Sequence, residues 1–290
     1  MPGLPAEDHD ATVVGVIGAR GGTGASVLAA AVARLSAAGG AHTALVDGDL
    51  TGGGLDVLLG IEDEVGLRWP DLHAARGEVG GDELAALLPT WRGAHVLSAD
   101  RRRPEGLVGD APADVVRALV QAHELVVVDL SRHHLPRCPP SGRSPSGRDP
   151  DARDPDARGS EADSDTLAAA ARCTVVVVVA TRDLGSVAGA LALHDATTLA
   201  APRAPLGMVV RGPAAGGLTA HDVASAAGLD LWAELRNDPT LSGALERGEG
   251  PPARSRRGRR GDLGRAAAVV LDHARAVRHA SAAPGTRRRR

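Results

Sequence analysis

The chain contains no lysine; all 33 of its basic residues are arginine. Tyrosine and phenylalanine are absent too, isoleucine occurs only at Ile17 and Ile61, and asparagine only at Asn237. The missing residue types share AT-rich codons, so a very GC-rich genome accounts for the pattern. Such pressure turns lysine into arginine wherever only charge is needed. It is a weaker reason for lysine to become alanine. The two cysteines, Cys138 and Cys173, exclude a disulfide framework and a cysteine metal cluster. The most apolar stretch, Cys173–Ala180, is too short to span a bilayer. No basic segment followed by a long apolar one precedes residue 12, so no secretory signal is expected and the cytosol is the default location.

What is present suits an α/β protein. A length of 290 residues and a hydrophobic content of 43% allow one large domain or two small ones. Apolar, β-branched segments at 12–19, 42–50, 94–99, 124–130, 173–180 and 204–210 read as strands. Ala-rich segments at 26–38, 113–121, 185–200 and 219–227 read as helices. The alternation predicts a doubly wound, mostly parallel sheet with helices on both faces. Ligands in such sheets sit at the carboxyl ends of the strands. Arg20, Asp47, Asp49, Asp129 and Thr181 all fall at predicted strand ends.

Between the first strand and helix runs GARGGTGAS, residues 18–26. Gly21, Gly22 and Gly24 let the backbone curl so that N–H groups point inward, and the helix that follows adds the positive end of its dipole. Ser26 is in register to hold Mg²⁺. In the usual G-x-x-x-x-G-K-[ST] spacing, Ala19 takes the first position and Ala25 takes the place of the lysine, so a point charge has become a methyl group. Any tight strand–helix turn also needs glycine, which is the plain structural alternative. Asp47 and Asp49 flank Gly48; period-2 alternation predicts that both face one side, where they could orient water and hold a metal through water. Asp129 closes an apolar strand and could serve as an outer-sphere Mg²⁺ partner; a turn or helix-cap role is the alternative for each.

These residues resemble the MinD/ParA superfamily of P-loop NTPases. ARGGTGAS is similar to its deviant Walker A loop, with Arg20 at the position of the signature lysine. Residues 44–67, ALVDGDLTGGGLDVLLGIEDEVGL, resemble the MinD-type switch I stretch, and ELVVVDLSR (124–132) the Walker B strand. VVVVVATRDLGSVAGALAL and the segment 217–249 resemble later parts of the domain. The RGGxGAS version of the loop is similar to the CpaE-like branch, which includes the septum-site-determining Ssd group associated with Flp/tad pilus and secretion loci.

The resemblance implies one P-loop domain over 12–282, with ATP and Mg²⁺ as ligands, held weakly or not at all. Gly21, Gly22, Thr23, Gly24, Ala25 and Ser26 would form the phosphate loop, and Ser26, Asp47 and Asp129 the Mg²⁺ site, partly through water. Arg20 would reach the partner's phosphates across a homodimer, and Asp49 would position the attacking water. Ala25 argues against efficient ATP hydrolysis, and Arg211-Gly212 departs from the Asn-Arg pair that often reads adenine in MinD-like proteins. The implied role is a spatial regulator of septum placement or of pilus-secretion machinery, with division or pilus proteins as partners. An active MinD/ParA-type ATPase using Arg20 and Asp49, and a ParA-like DNA-partition factor, stay open. The receiver-like domain that often precedes this branch is not expected before the first strand.

Residues 1–11 and 283–290 read as disordered termini. Residues 136–165, rich in Pro, Gly, Ser, Asp and Arg with a tandem DPDAR, read as a disordered insert. Residues 251–290 carry 12 Arg against Asp262 and Asp272, on an otherwise acidic chain. Such a tail suits contact with anionic lipid at the inner face of the membrane, or with DNA. No aromatic residue interleaves with its arginines, which excludes base stacking as its mode. The segment 262–282 offers Leu263, Ala266, Ala267, Val270, Ala274 and Val277 on one helical face. That face is too poor in large apolar residues for firm membrane insertion, so a closing helix packed on the domain is expected.

Overall fold

Valine dictates the middle of the fold. The segments VVGVI, LVVVDL and VVVVVA are apolar on both faces of a strand and are stable only where helices cover both. A computed structural model describes residues 11–50, 53–72, 80–103, 111–132, 172–214, 216–252 and 261–282. In it these segments are β1 (Thr12–Gly18), β5 (Leu125–Leu130) and β6 (Val175–Thr181), adjacent at the centre of the sheet. The other strands are β2 (Thr43–Asp47), β3 (Thr90–Trp91), β4 (Ala94–Leu97), β7 (Leu206–Arg211) and β8 (Asp230–Leu235). Among the described residues the sheet has eight strands in the order β3-β4-β2-β5-β1-β6-β7-β8, all parallel except β3.

The helices are α1 (Ala25–Ala38), α2 (Leu55–Leu59), α3 (Gly81–Leu87), α4 (Ala111–Ala122), α5 (Leu184–Ala200), α6 (Ala220–Ala226), α7 (Pro239–Glu246) and α8 (Asp262–Ala282). One half of the core lies between the sheet and α1, α2 and α8; the other lies under α3, α4, α5 and α6. The doubly wound parallel sheet expected from the sequence is therefore the fold. From β1 the strand order runs outward in both directions, and the crevice at the carboxyl ends of β5, β1 and β6 is the place where such sheets bind ligands.

Three local departures matter. The second strand, expected over 42–50, ends at Asp47, so Asp49 lies beyond the pleat and strand alternation does not orient it. The strand expected at 204–210 extends through Arg211, which places that side chain at the sheet edge. β8 was hidden because DLWAEL carries exposed and half-buried positions in place of an apolar run. The helix at 262–282 packs as expected: Ala266, Ala267, Val270, Leu271 and Ala274 are buried beside α1 and the sheet. Among the described residues no helix is long and apolar enough to cross a membrane. The DPDAR insert and both arginine clusters of the C-terminal region, 254–260 and 287–290, lie outside the described residues.

Candidate functional site

The loop between β1 and α1 is anchored at both ends. Ala19 N–H donates to the Val179 carbonyl at 2.9 Å, and the buried Thr23 hydroxyl donates to the Arg20 carbonyl at 3.2 Å. Gly24 then enters α1 with φ 95°, a left-handed conformation that strains any residue with a Cβ. No side chain caps this helix, and its first turn holds no acidic residue. The leading N–H groups of α1 have no intrahelical acceptors, so they and the dipole face the crevice. A Cβ added at Gly22 would meet nothing within 4 Å, so the cradle is open on that side.

Carboxylates close the far side. Asp47 and Asp129 are in register on neighbouring strands, and both are buried. The Ser26 hydroxyl lies beside the Asp129 carboxyl and favours its charged form. Burial pushes the Asp129 carboxyl up to about 7; the Ser26 hydroxyl opposes this, and the charges of Asp47 and Asp49 add to it. Asp47 is raised to about 6, mainly by burial, against three backbone N–H bonds. Those bonds define its work: it accepts from Asp49 at 3.0 Å, Leu55 at 3.0 Å and Ala99 at 3.2 Å. Trp69 Nε1 donates to the Asp47 carbonyl at 2.7 Å. Asp47 thus ties Asp49 and Leu55 to the end of β2.

Arg20 engages its own chain. Its Nη2 pairs with Asp183 Oδ2 at 2.9 Å and its Nε donates to Ser186 Oγ at 3.2 Å. The guanidinium, with the Thr181 hydroxyl, holds the Asp183 carboxyl far below the usual carboxylate range. Asp183 also caps α5 by accepting from Ser186 N–H at 2.9 Å. The loop, Asp47, Asp129 and Thr181 lie at one sheet edge, together with Asp183 and Trp69, which the sequence did not single out, and Arg211, which it noted only as a departure from an adenine-reading pair. Arg211 Nη1 stands 3.5 Å from the Thr23 carbonyl, and a second guanidinium, of Arg132, lies near Gly21. A cavity of about 650 Å³ opens beside the loop, lined in part by Gly24, Val27, Arg211, Asn237, Pro239 and Asp262. A larger groove of about 850 Å³ between the 53–64 segment and Gly248 is rimmed by Glu62, Asp63 and Glu64, charges unsuited to a phosphate.

The residues present fit a phosphate group with a divalent cation. The glycine cradle and uncapped helix N-terminus suit the anion. A hydroxyl beside a buried carboxyl of raised pKa suits a hard cation held partly through water. Among the described residues no cluster of three or more His, Cys, Asp or Glu side chains could hold a metal alone. Such an ion would therefore depend on phosphate oxygens and water as well as Ser26.

Sheet order, loop and acidic strand ends together define a P-loop α/β fold of the MinD/ParA type. The chain superposes on a ParA family ATPase from Chlorobium tepidum with a TM-score of 0.68 at 15% identity, covering 91% of this chain and 98% of that one. It superposes on the septum site-determining protein MinD of Pyrococcus horikoshii, solved with Mg-ADP, with a TM-score of 0.64 at 16% identity over 94% and 98%. The MinC:MinD cell division complex of Aquifex aeolicus gives a TM-score of 0.62 at 15% identity over 93% and 96%. In sequence the chain is 38% identical over 236 residues to two Mycobacterium tuberculosis proteins, Rv3660c of strain H37Rv and MT3760 of strain CDC 1551. The match takes in 81% of this chain and 57% of each relative, so the chain spans little more than half their length. No protein-family model matches.

Proposed function

We propose that this chain is a nucleotide-binding regulator of the MinD/ParA superfamily, of the CpaE/Ssd kind. In this reading it positions division septa or pilus-secretion machinery and works more as a switch than as an efficient ATPase. The observation that carries the reading is the pairing of an intact cradle with a missing charge. Gly24, the uncapped α1 and Ser26 are all in place, with Asp129 buried at the adjacent strand end, while Ala25 offers a methyl group where a lysine would stand. Bound there, a nucleoside triphosphate with Mg²⁺ would supply an anhydride whose terminal phosphate can be lost. The backbone of Gly21–Ser26 would bind and orient the phosphates, Ser26 and Asp129 would hold the ion, and Asp49 would place a water. Loss of the lysine removes stabilisation of developing charge and lowers turnover more than binding.

The solved fold neighbours include a MinD with Mg-ADP and a MinC:MinD cell division complex, which supports a division-protein partner here, and a homodimer belongs to the same reading. Arg20 would cross to the second copy only after leaving Asp183. The basic C-terminal region would add salt-sensitive contact with anionic lipid or DNA. ATP turnover and ATP-dependent dimerisation are to be measured on wild type, Asp49→Ala and Arg20→Ala. Nucleotide binding with little turnover supports the switch. Brisk turnover abolished by Asp49→Ala would instead make the chain a working ATPase.

A further inference from the structure

If the loop has lost its lysine, the phosphate charge must be met from elsewhere or not at all. Among the described residues three guanidinium groups approach the loop. Arg20 is neutralised by Asp183. Arg132 comes near the outer, exposed Gly21, where an added Cβ would lie 3.8 Å from its Nη2. Arg211 comes in at the other end, where the loop becomes helix. An added Cβ on Gly24 would lie 3.1 Å from Arg211 Nη1. The same nitrogen reaches the Thr23 carbonyl only at the limit of hydrogen bonding, 3.5 Å.

The position of Arg211 is fixed by the sheet. It is the last residue of β7, in register with Thr181 of β6 and Leu235 of β8. Its side chain lines the 650 Å³ cavity together with Gly24 and Val27, and it has no ion pair among the described residues. A planar guanidinium with five donors and one weak carbonyl contact is suited to exchange that contact for a phosphate oxygen.

We infer that Arg211 is the in-cis phosphate-binding cation of this chain, supplying from the end of β7 the charge that Ala25 lacks. The inference rests on the nucleotide-binding reading above and adds a residue and a consequence to it. The guanidinium enters from the cavity side, at Thr23 and Gly24. With the nucleoside seated in that cavity, it serves the phosphates nearest the nucleoside and does not track the terminal one. Binding is retained for diphosphate and triphosphate alike, while the charge that develops on a departing terminal phosphate goes unmatched.

The test is titration calorimetry of the full chain with ATP, ADP and adenosine in Mg²⁺. Wild type, Arg211→Ala, Arg211→Gln, Ala25→Lys and Ala25→Lys/Arg211→Ala are compared, each checked for folding by its thermal melt. Arg211→Ala and Arg211→Gln should each weaken ATP and ADP equally, by roughly tenfold or more, and leave adenosine unchanged. Lysine at position 25 should restore the loss. Unchanged ATP affinity in both Arg211 variants, or an equal loss for adenosine, would overturn the role of Arg211 and leave the nucleotide reading standing. Failure of wild type to bind, with binding gained by Ala25→Lys, would likewise overturn Arg211 alone. Failure of both to bind would sink the nucleotide reading and this inference together.

Discussion

Arg20 Nη2 and Asp183 Oδ2 lie 2.9 Å apart, tying the glycine-rich loop to the first turn of α5. The pair bridges two chain segments that leave adjacent central strands. Its cohesion comes mostly from geometry, since both side chains remain close to half exposed and an exposed pair contributes only ~0–1 kcal/mol.

Asp183→Ala removes that pair and the helix cap together. The cap loss alone costs about 1 kcal/mol, so urea unfolding should show a destabilisation of ~1–2 kcal/mol. The Asp183 carboxyl titrates below its unfolded value, so its contribution is full above an unfolded pKa of about 3.9 and fades as pH falls below it. The difference between wild type and variant should shrink in that acid range. A constant gap down to pH 3 would show that the charge has no part in it.

A second pH effect arises at the opposite end of the sheet. His95 Nδ1 and His123 Nε2 are 2.8 Å apart, and His123 Nδ1 donates to the Leu119 carbonyl at 2.8 Å. That carbonyl can only accept, so neutral His123 carries its proton on Nδ1, and its Nε2 accepts a hydrogen bond from His95 Nδ1–H. Burial lowers both pKa values, with neighbouring histidine charge adding to the effect. The unfolded chain therefore takes up protons first, and stability should fall as pH drops below about 6.5. His123→Leu should flatten the decline in melting temperature between pH 7 and 5.5, a comparison that differential scanning calorimetry makes directly.

Gly189 sits where α5 meets the loop. A Cβ there would collide with the Ala19 carbonyl, which is backbone and cannot swing aside. Gly189→Ala should destabilise by about 1–3 kcal/mol, as over-packing generally does. It should also push the loop outward, visible as faster amide exchange at 19–24. Normal stability in this variant would mean that α5 shifts freely, contrary to its packing.

The role of α8 can be tested at Val270, fully buried against α1 and the sheet. Val270→Asp places a carboxyl in an apolar seam and should cost about 3 kcal/mol or more. A helix whose apolar face served lipid would instead tolerate the change and lose only vesicle binding.

Much of the fold could be read in advance because β1, β5 and β6 are unbroken apolar runs, a pattern that few other structures produce. The loop was legible through its glycine spacing, and Asp129 because it closes such a run. Asp183 and Arg211 were not legible. Each meets the loop through contacts spanning more than 160 residues, which no local pattern encodes. The pleat argument for Asp49 failed because Asp47 bonds back to the Asp49 N–H and ends the strand early. β3 was missed because it is two residues long and turns through Arg92 and Gly93, both at positive φ.

Among the described residues, the seam between α1 and α8 joins the first helix to the last. On a ribosome, α1 emerges long before α8, so its apolar flank waits for a partner far along the chain. Loops closed over such separations form slowly. The apolar flank of α1 therefore stays uncovered until α8 has been made and has docked, and the docking of α8 is the event that seals this side of the domain.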